Sequence, residues 1–249
     1  MNQNQDLKMQ LLKQFGICDQ PKTIGFCREA YKFLIEGDTM KLVGYDENGT
    51  PIIEKTSFSP YDTTPKEITA VDLGLPSGTL WADRNIGAKS PEDFGLYFSW
   101  GNIEGHAMGS GYDFDDYNET KGHELDGDID IEHDAARFNI GEPWQMPTKE
   151  QFQELVDNCT REWCCENGHM GSRFTSKING KSVFFPAAGG GYGSSVDYVG
   201  SRGNYWSSSW YSANYAYDMR FYSSSVSPQN SSNRYYGFSV RAVQISPTK

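Results

Sequence analysis

The feature that most constrains this chain is the composition of its last quarter. Residues 182–248 contain no lysine and no glutamate, although the 181 residues before them contain 27 of the two types together. From Asn204 to Phe238, 17 of 35 residues are tyrosine or serine. Ordinary solvent-exposed sequence uses lysine and glutamate freely. A Tyr/Ser-rich composition is instead typical of antibody recognition loops, where tyrosine offers contact area at low entropic cost. The segment therefore predicts a recognition surface.

Apolar residues within this segment indicate a folded framework and not a linker. The candidate core residues are Trp206, Trp210, Met219, Phe221, Val240 and Val243. Side chains alternate between the faces of a strand, so we expect Met219 and Phe221 to point into the core. The same alternation predicts that Asp218, Arg220 and Tyr222 face a ligand. A plain β-surface without a ligand is the alternative left open.

The candidate ligand-binding residues are the polar and aromatic positions of this tail. They are Ser209, Tyr211, Ser212, Asn214, Tyr215, Tyr217, Asp218, Arg220, Tyr222, Ser223, Ser224, Ser225, Ser227, Asn230, Ser231, Ser232, Asn233, Tyr235 and Tyr236. Tyrosine and arginine are expected to supply most of the binding energy, since interface hot spots are enriched in both.

Charge excludes two classes of partner. The chain carries a net charge of −11, whereas binders of nucleic acid or anionic membranes need a basic face. No apolar run is long enough to span a bilayer. Residues 1–6 are polar and no signal-peptide pattern follows, so we expect synthesis in the cytoplasm. Five cysteines without framework spacing favour reduced thiols.

Local patterns predict an N-terminal module, a linker and a larger domain. Residues 1–37 predict two short helices, and residues 40–53 predict a hairpin turning at Asn48-Gly49. We therefore expect residues 1–56 to form a small module for attachment or oligomerisation and residues 57–66 to form a linker. Residues 1–66 together are the candidate region for a homo-oligomer.

In the domain at 67–246, Thr148 is a candidate N-cap for a helix ending near Cys159. Strands are expected at 78–82, 182–185, 217–222 and 238–243. We expect loop structure over 101–134, a flexible turn over Gly189–Gly193 and a helix-end turn at Cys164-Cys165.

Motifs for metal or cofactor chemistry are incomplete. The run Asp126-Gly127-Asp128-Ile129-Asp130 resembles the start of an EF-hand, but its sixth position is Ile131 and its twelfth is Arg137. Cys164, Cys165 and His169 match no standard zinc spacing. The glycine run at 189–193 lacks the Lys-Ser/Thr of a phosphate loop. We therefore predict no cofactor and no metal site; whether calcium supports the acidic loop at 113–134 stays open.

Six strings, taken in order, resemble one family. They are Val71–Ala82 (VDLGLPSGTLWA), Asp93–Gly101 (DFGLYFSWG), Asp134–Ala136 (DAA), Trp144–Glu150 (WQMPTKE), Tyr205–Ser209 (YWSSS) and Gly237–Arg241 (GFSVR). Together they resemble the Fibrobacter succinogenes major paralogous domain, a relative of the formylglycine-generating-enzyme branch of the C-type lectin fold. The resemblance covers about residues 67–246. It implies an α+β, loop-rich C-type lectin fold with short antiparallel strands and few helices.

The tail also resembles the variable region of proteins diversified by retroelements, here about residues 204–241. In that family, mutagenesis at adenines yields tyrosine, serine, asparagine, aspartate, arginine, phenylalanine and alanine but hardly reaches lysine, glutamate, glutamine, methionine or tryptophan. The resemblance implies a display protein, either a phage receptor-binding protein or a cell-surface adhesin, that binds an unknown protein or cell-surface receptor. Because no signal-peptide pattern is present, we expect it to be phage- or prophage-encoded and virion-associated. One alternative is an oxidase of the formylglycine-generating type, although no cysteine lies beyond Cys165 to supply the nucleophile. The other is a structural protein or adhesin that is not diversified.

Overall fold

The computed structural model describes residues 39–45, 51–56, 68–117 and 125–245. The chain divides into two units, Met1–Thr64 and Pro65–Lys249. In the first, β1 (Thr39–Tyr45) pairs antiparallel with β2 (Pro51–Thr56), which confirms the predicted hairpin strands. The two expected helices of residues 1–37, the Asn-Gly turn and the linker at 57–66 lie outside the described residues.

The second unit is built from short strands and two described helices. The helices are α1 (Ala135–Ile140) and α2 (Lys149–Asn158). The strands are β3 (Ala70–Asp72), β4 (Thr79–Ala82), β5 (Tyr97–Phe98), β6 (Cys159–Glu166), β7 (His169–Ser176), β8 (Ser182–Pro186), β9 (Gly190–Tyr192), β10 (Ser195–Asp197), β11 (Gly203–Trp210), β12 (Tyr215–Phe221), β13 (Val226–Asn233), β14 (Phe238–Ser239) and β15 (Val243–Ile245). This loop-rich mixture belongs to the α+β class, as expected.

The largest described sheet carries the Tyr/Ser-rich tail. Its strand order is β13-β12-β11-β14-β5. The strands pair antiparallel except for β11 and β14, which run parallel with Tyr205 opposite Ser239. Two smaller sheets, β15-β4-β3 and β6-β7-β8, and the pair β9-β10 complete the described strand pairings of this unit.

Helix α2 begins at the predicted residue because its first turn is capped twice. The Thr148 hydroxyl accepts a hydrogen bond from the Gln151 amide at 3.3 Å, and the Gln151 side chain accepts one from the Thr148 amide at 2.8 Å. This capping box satisfies two amides that a helix N-terminus leaves free. Phe152 and Leu155 are fully buried, so the helix packs through the stripe that its periodicity predicts.

Two hydrophobic clusters lie on opposite faces of the large sheet. Tyr205, Met219 and Phe221 pack in one cluster with Phe152 of α2, whereas Trp206, the next residue of β11, packs in the other. Successive side chains of a strand point to opposite faces, so the central strands are covered on both sides. All the predicted core anchors are buried except Trp210, which is partly exposed.

Some predicted local structures are wrong. Gly190–Tyr192 forms β9, not a flexible turn. It pairs with β10, and the Gly191 amide also donates to Gly237 O at 2.6 Å. Cys164 and Cys165 lie within β6, since their backbones pair with β7. The strand expected over 238–243 is split into β14 and β15, which belong to different sheets.

Candidate ligand-binding surface

Three tyrosines form an aromatic cluster at the turn between β11 and β12. Tyr211 meets Tyr215 and Tyr217 edge to face, with ring centroids 6.5 and 5.1 Å apart. The Lys149 ammonium lies 4.3 Å from the centroid of the Tyr217 ring. Tyr211 is 49% exposed and Tyr215 is 41% exposed. The cluster therefore presents aromatic area whose rings already support one another.

The backbone beneath this cluster is held in place. The Ser212 amide donates to Tyr215 O at 3.0 Å, and the Tyr215 amide donates back to Ser212 O at 3.2 Å. Asn214 is exposed, but its carbonyl accepts a hydrogen bond from the Arg234 amide at 3.0 Å. A turn fixed in this way loses little conformational entropy when a partner binds.

A second exposed region is the turn between β12 and β13. Tyr222, Ser223, Ser224 and Ser225 are all exposed there. The Tyr222 amide donates to Ser225 O at 2.9 Å, and Arg161 of β6 donates to Tyr222 O at 2.7 Å and to Ser223 O at 3.0 Å. Arg161 thus orders this turn from outside the tail.

Strand β13 lies at one edge of the large sheet and carries the remaining serines and asparagines. Ser227 is exposed, whereas Ser231 and Asn233 are half-buried. Pro228 sits in this strand, where its lack of an amide proton is tolerated because the strand is at an edge.

Three predicted contact residues are buried, so the prediction that their side chains face a ligand is wrong. Ser209 is buried because its hydroxyl accepts a hydrogen bond from the Lys149 amide at 3.1 Å, at the start of α2. Ser232 is buried because it donates to Asp218 Oδ1 at 2.9 Å, and Asp218 itself is 0% exposed. These three buried side chains form hydrogen bonds inside the protein and are not part of the exposed surface.

Asp218 is a carboxylate held by neutral donors. Its Oδ1 accepts hydrogen bonds from Ser232 and, at 2.8 Å, from Asn230, which is half-buried. Its Oδ2 is buried and has no hydrogen-bond partner among the described residues. Burial raises the pKa of Asp218 to about 6, although Arg220, with its Nε 3.9 Å from Oδ2, opposes the shift.

Asp218, Arg220 and Tyr222 were predicted to face a ligand, and of the three Arg220 is the one that is partly buried. Its Nε donates to Asn204 Oδ1 at 3.0 Å and its Nη2 donates to Ser232 Oγ at 2.8 Å. The side chain is 24% exposed. Its guanidinium is thus fixed by groups from the strands on either side.

Tyr235 and Tyr236 are half-buried and join an aromatic group that the sequence did not predict. The Tyr236 ring lies 4.9 Å from Tyr235 and 4.6 Å from Tyr192. Tyr198 and Arg202 complete the group, with the guanidinium carbon of Arg202 3.8 Å from the Tyr198 ring centroid. The dense Tyr/Ser composition begins at Asn204 and therefore leaves out Tyr192, Tyr198 and Arg202. These three residues lie in the segment without lysine and glutamate, which starts at residue 182 and was the signal that could have found them.

The described residues include three free cysteines, of which Cys165 is exposed. In residues 68–117 and 125–245, no three His, Cys, Asp or Glu side chains are grouped to hold a metal ion. Cys159 and Cys164 are free thiols, and burial raises the pKa of both, that of Cys159 to about 11. A thiol that stays protonated at neutral pH is a poor nucleophile.

A groove of about 430 Å³ lies outside the tail, in the region expected to be loop. It is lined by Asn102, Ile103, Glu104, His106, Tyr112, Asp116 and Tyr117. His106 stacks on Tyr112 with ring centroids 3.4 Å apart, and burial lowers the pKa of His106. Burial thus favours the neutral imidazole, which packs against Tyr112.

Comparison with known proteins gives one match. Residues 170–243 match the family model of a domain of unknown function, DUF8237. The match spans β7 to the start of β15 and so includes the whole candidate surface. No curated protein and no solved structure matches significantly. None of the described helices is long and apolar enough to cross a membrane.

Proposed function

We propose that this chain is a ligand- or receptor-binding display protein with a C-type lectin fold. Its tail, about residues 204–241, is diversified by a retroelement, and the gene belongs to a phage or prophage. The observation that carries the proposal is a difference in burial within β11–β13. Fully buried Trp206, Met219 and Phe221 form a fixed framework. Exposed tyrosines and serines occupy the turns that connect the same strands.

The distribution of residue types across this boundary supports diversification. Trp206 and Met219 belong to types that adenine mutagenesis hardly reaches, and both are buried. Tyr211, Tyr215 and Tyr222 belong to types that it reaches readily, and all three are exposed. Gln229, which is exposed, and Trp210, which is partly exposed, are exceptions among the types that are hardly reached. A process that varies the surface while sparing the core keeps the fold and changes the ligand.

Pre-ordering of the turns supports a binding role. Backbone hydrogen bonds close both turns, and Arg161 anchors the second one. Rigid aromatic anchors surrounded by small polar side chains are typical of recognition surfaces, because little rotamer entropy is lost on binding. The oxidase alternative draws no support from Cys159 and Cys164, whose pKa values are raised.

The DNA around the gene tests this proposal directly. We expect a near-copy of the segment encoding Asn204–Arg241 that differs mainly at adenines, close to a reverse transcriptase gene. The differing codons should fall on exposed positions such as Tyr211 and Tyr215 and should spare Trp206 and Met219. The segment encoding β6 and β7 is the internal control and should have no such copy. A genome without any repeat of the tail segment would overturn the proposal.

A further inference from the structure

Two arginines lie close to Tyr192, Arg202 just before β11 and Arg220 within β12. Asn204 pairs with Arg220 across β11 and β12, and Arg202 precedes Asn204 by two residues. Hydrogen bonds connect the two segments, because Arg220 Nε donates to Asn204 Oδ1 at 3.0 Å, Asn204 Nδ2 donates to Gly189 O at 2.7 Å, and the Gly189 amide donates to Arg202 O at 2.7 Å. Arg202 Nη2 donates to the Tyr192 hydroxyl. The charges of both Arg202 and Arg220 act on that hydroxyl to lower its pKa, against the burial that raises it to about 12.

The two guanidinium groups are held in fixed positions but keep unused donors. Arg220 is bonded through Nε and Nη2 to Asn204 and Ser232, and its Nη1 has no acceptor among the described residues. Arg202 packs on the rings of Tyr198 and Tyr192 and donates from Nη2 to the Tyr192 hydroxyl, and its Nη1 has no acceptor within the described ranges. Groups ordered in advance but not saturated are suited to bind an incoming acceptor.

We propose that Arg202 and Arg220, with Tyr192 and Tyr198 as aromatic walls, form a subsite for a carboxylate side chain of an acidic protein partner. This inference rests on the proposed binding function and names the chemistry of its partner.

The local charge favours a carboxylate over a phosphate. The Asp218 carboxylate lies close to Arg220, with its Oδ2 3.9 Å from the Arg220 Nε. When Asp218 is ionised, this carboxylate and the guanidinium groups of Arg202 and Arg220 together leave a single net positive charge. A single charge matches a carboxylate, whereas a phosphate group carries nearly two negative charges at neutral pH. Guanidinium donors also match the two oxygens of a carboxylate in geometry.

The test uses the full-length protein and the peptide acetyl-tetraglutamate amide. We expect the Nε–Hε NMR signals of Arg202 and Arg220 to shift and saturate with this peptide, but not with acetyl-tetraglutamine amide. Inorganic phosphate serves as a second probe and should bind more weakly. Equal shifts with the glutamine peptide, or tighter binding of phosphate, would overturn the inference.

Substitutions separate the subsite from general charge effects. Arg220→Gln and Arg202→Gln should each weaken binding of the glutamate peptide about tenfold, because each removes a charge-assisted hydrogen bond. Asp218→Asn should tighten binding several-fold at pH 7.5, because it removes the negative charge below the site. Arg173→Gln is the matched control, since Arg173 is a partly exposed arginine outside the tail, bound to Glu162 and Glu166. Arg173→Gln should leave the affinity unchanged.

Folding is monitored in parallel through the methyl spectrum, so loss of structure is not mistaken for loss of binding. If Arg220→Gln disturbs the fold, Arg202→Gln decides, because Arg202 lies outside the hydrogen-bond network of Asp218. Unchanged affinity in folded Arg202→Gln would overturn the subsite. If the gene has the tail repeat but the protein does not bind the glutamate peptide, the subsite alone is refuted. Specific binding without any repeat would refute diversification alone.

Discussion

The Nε of Arg241 donates a hydrogen bond to Asn85 Oδ1 at 2.9 Å, and both residues are completely buried. The same guanidinium donates to Ala82 O at 3.1 Å and to Phe184 O at 2.8 Å. Its carbon atom lies 4.5 Å from the centroid of the Phe185 ring. Burial lowers the pKa of Arg241 to about 10, so the side chain stays charged at neutral pH. One arginine thereby links β4, β8 and the segment between β14 and β15.

We expect Arg241→Lys to lower the free energy of unfolding by about 3 kcal/mol or more. Lysine cannot reproduce the planar fork of donors, so at least one buried acceptor loses its partner while a charge remains buried. Urea unfolding checks this result. Arg173→Lys is the control, and an exposed ion pair there should change stability by less than about 1 kcal/mol. Equal effects of the two substitutions would contradict the structural role of Arg241.

Stability should depend on pH through Asp218. Its pKa is raised from 3.8 to about 6 in the folded protein, so the folded state binds this proton more tightly than the unfolded chain. The contribution of Asp218 to the free energy of unfolding is fully present below pH 4 and is lost as the pH rises through about 6.

We expect Asp218→Asn to gain stability relative to the wild type as the pH rises from 4 to 7, by up to about 3 kcal/mol. Urea unfolding at several pH values gives the difference between the two proteins, in which the other titrating groups cancel. Asp197→Asn, at an exposed aspartate, should follow the wild type. A difference between Asp218→Asn and the wild type that does not vary over this range would refute the prediction.

Gly237→Ala should destabilise the fold by about 1–3 kcal/mol, because a Cβ at this position would lie 2.3 Å from the Phe114 ring. Two backbone hydrogen bonds with Gly191, at 2.6 and 3.0 Å, hold Gly237 in position. Thermal unfolding measures the loss. Gly127→Ala is the control, since a Cβ there meets nothing within 4 Å. Adding Phe114→Leu to Gly237→Ala should recover part of the lost stability; if it does not, the clash is not the cause.

The exposed tail positions should tolerate substitution, as a diversified surface requires. We expect Tyr211→Ser, Tyr215→Ser and Tyr222→Ser each to change the unfolding free energy by no more than about 0.5–1 kcal/mol. Phe221→Ala, one residue from Tyr222 but fully buried, should cost about 3–5 kcal/mol. Denaturant unfolding of the four variants compares them. A large loss in any of the tyrosine variants would mean that its ring belongs to the framework.

Local sequence signals determined several elements of this protein. The Thr148 capping box starts α2, the alternating apolar residues of β12 place Met219 and Phe221 in the core, and the apolar pattern at 40–53 forms the β1–β2 pair. Each of these depends on residues close together in the chain, so the sequence alone contains the information. The exposed tyrosines at 211, 215 and 222 were also predictable, because turns between strands lie at the surface.

Tertiary structure decided the rest. Alternation predicts which side chains share a face, but not whether neighbouring strands cover that face. Asp218 is buried against the side chains of Asn230 and Ser232 on β13, and the register of that pairing shifts between Asp218 and Arg220. The Gly190–Tyr192 strand pairs with the nearby β10, and its Gly191 is also bridged to distant Gly237. Composition therefore determined that the tail is a polar, aromatic surface on an apolar framework. Strand pairing decided which of its polar groups reach solvent, because covering a strand on both faces depends on contacts far apart in sequence.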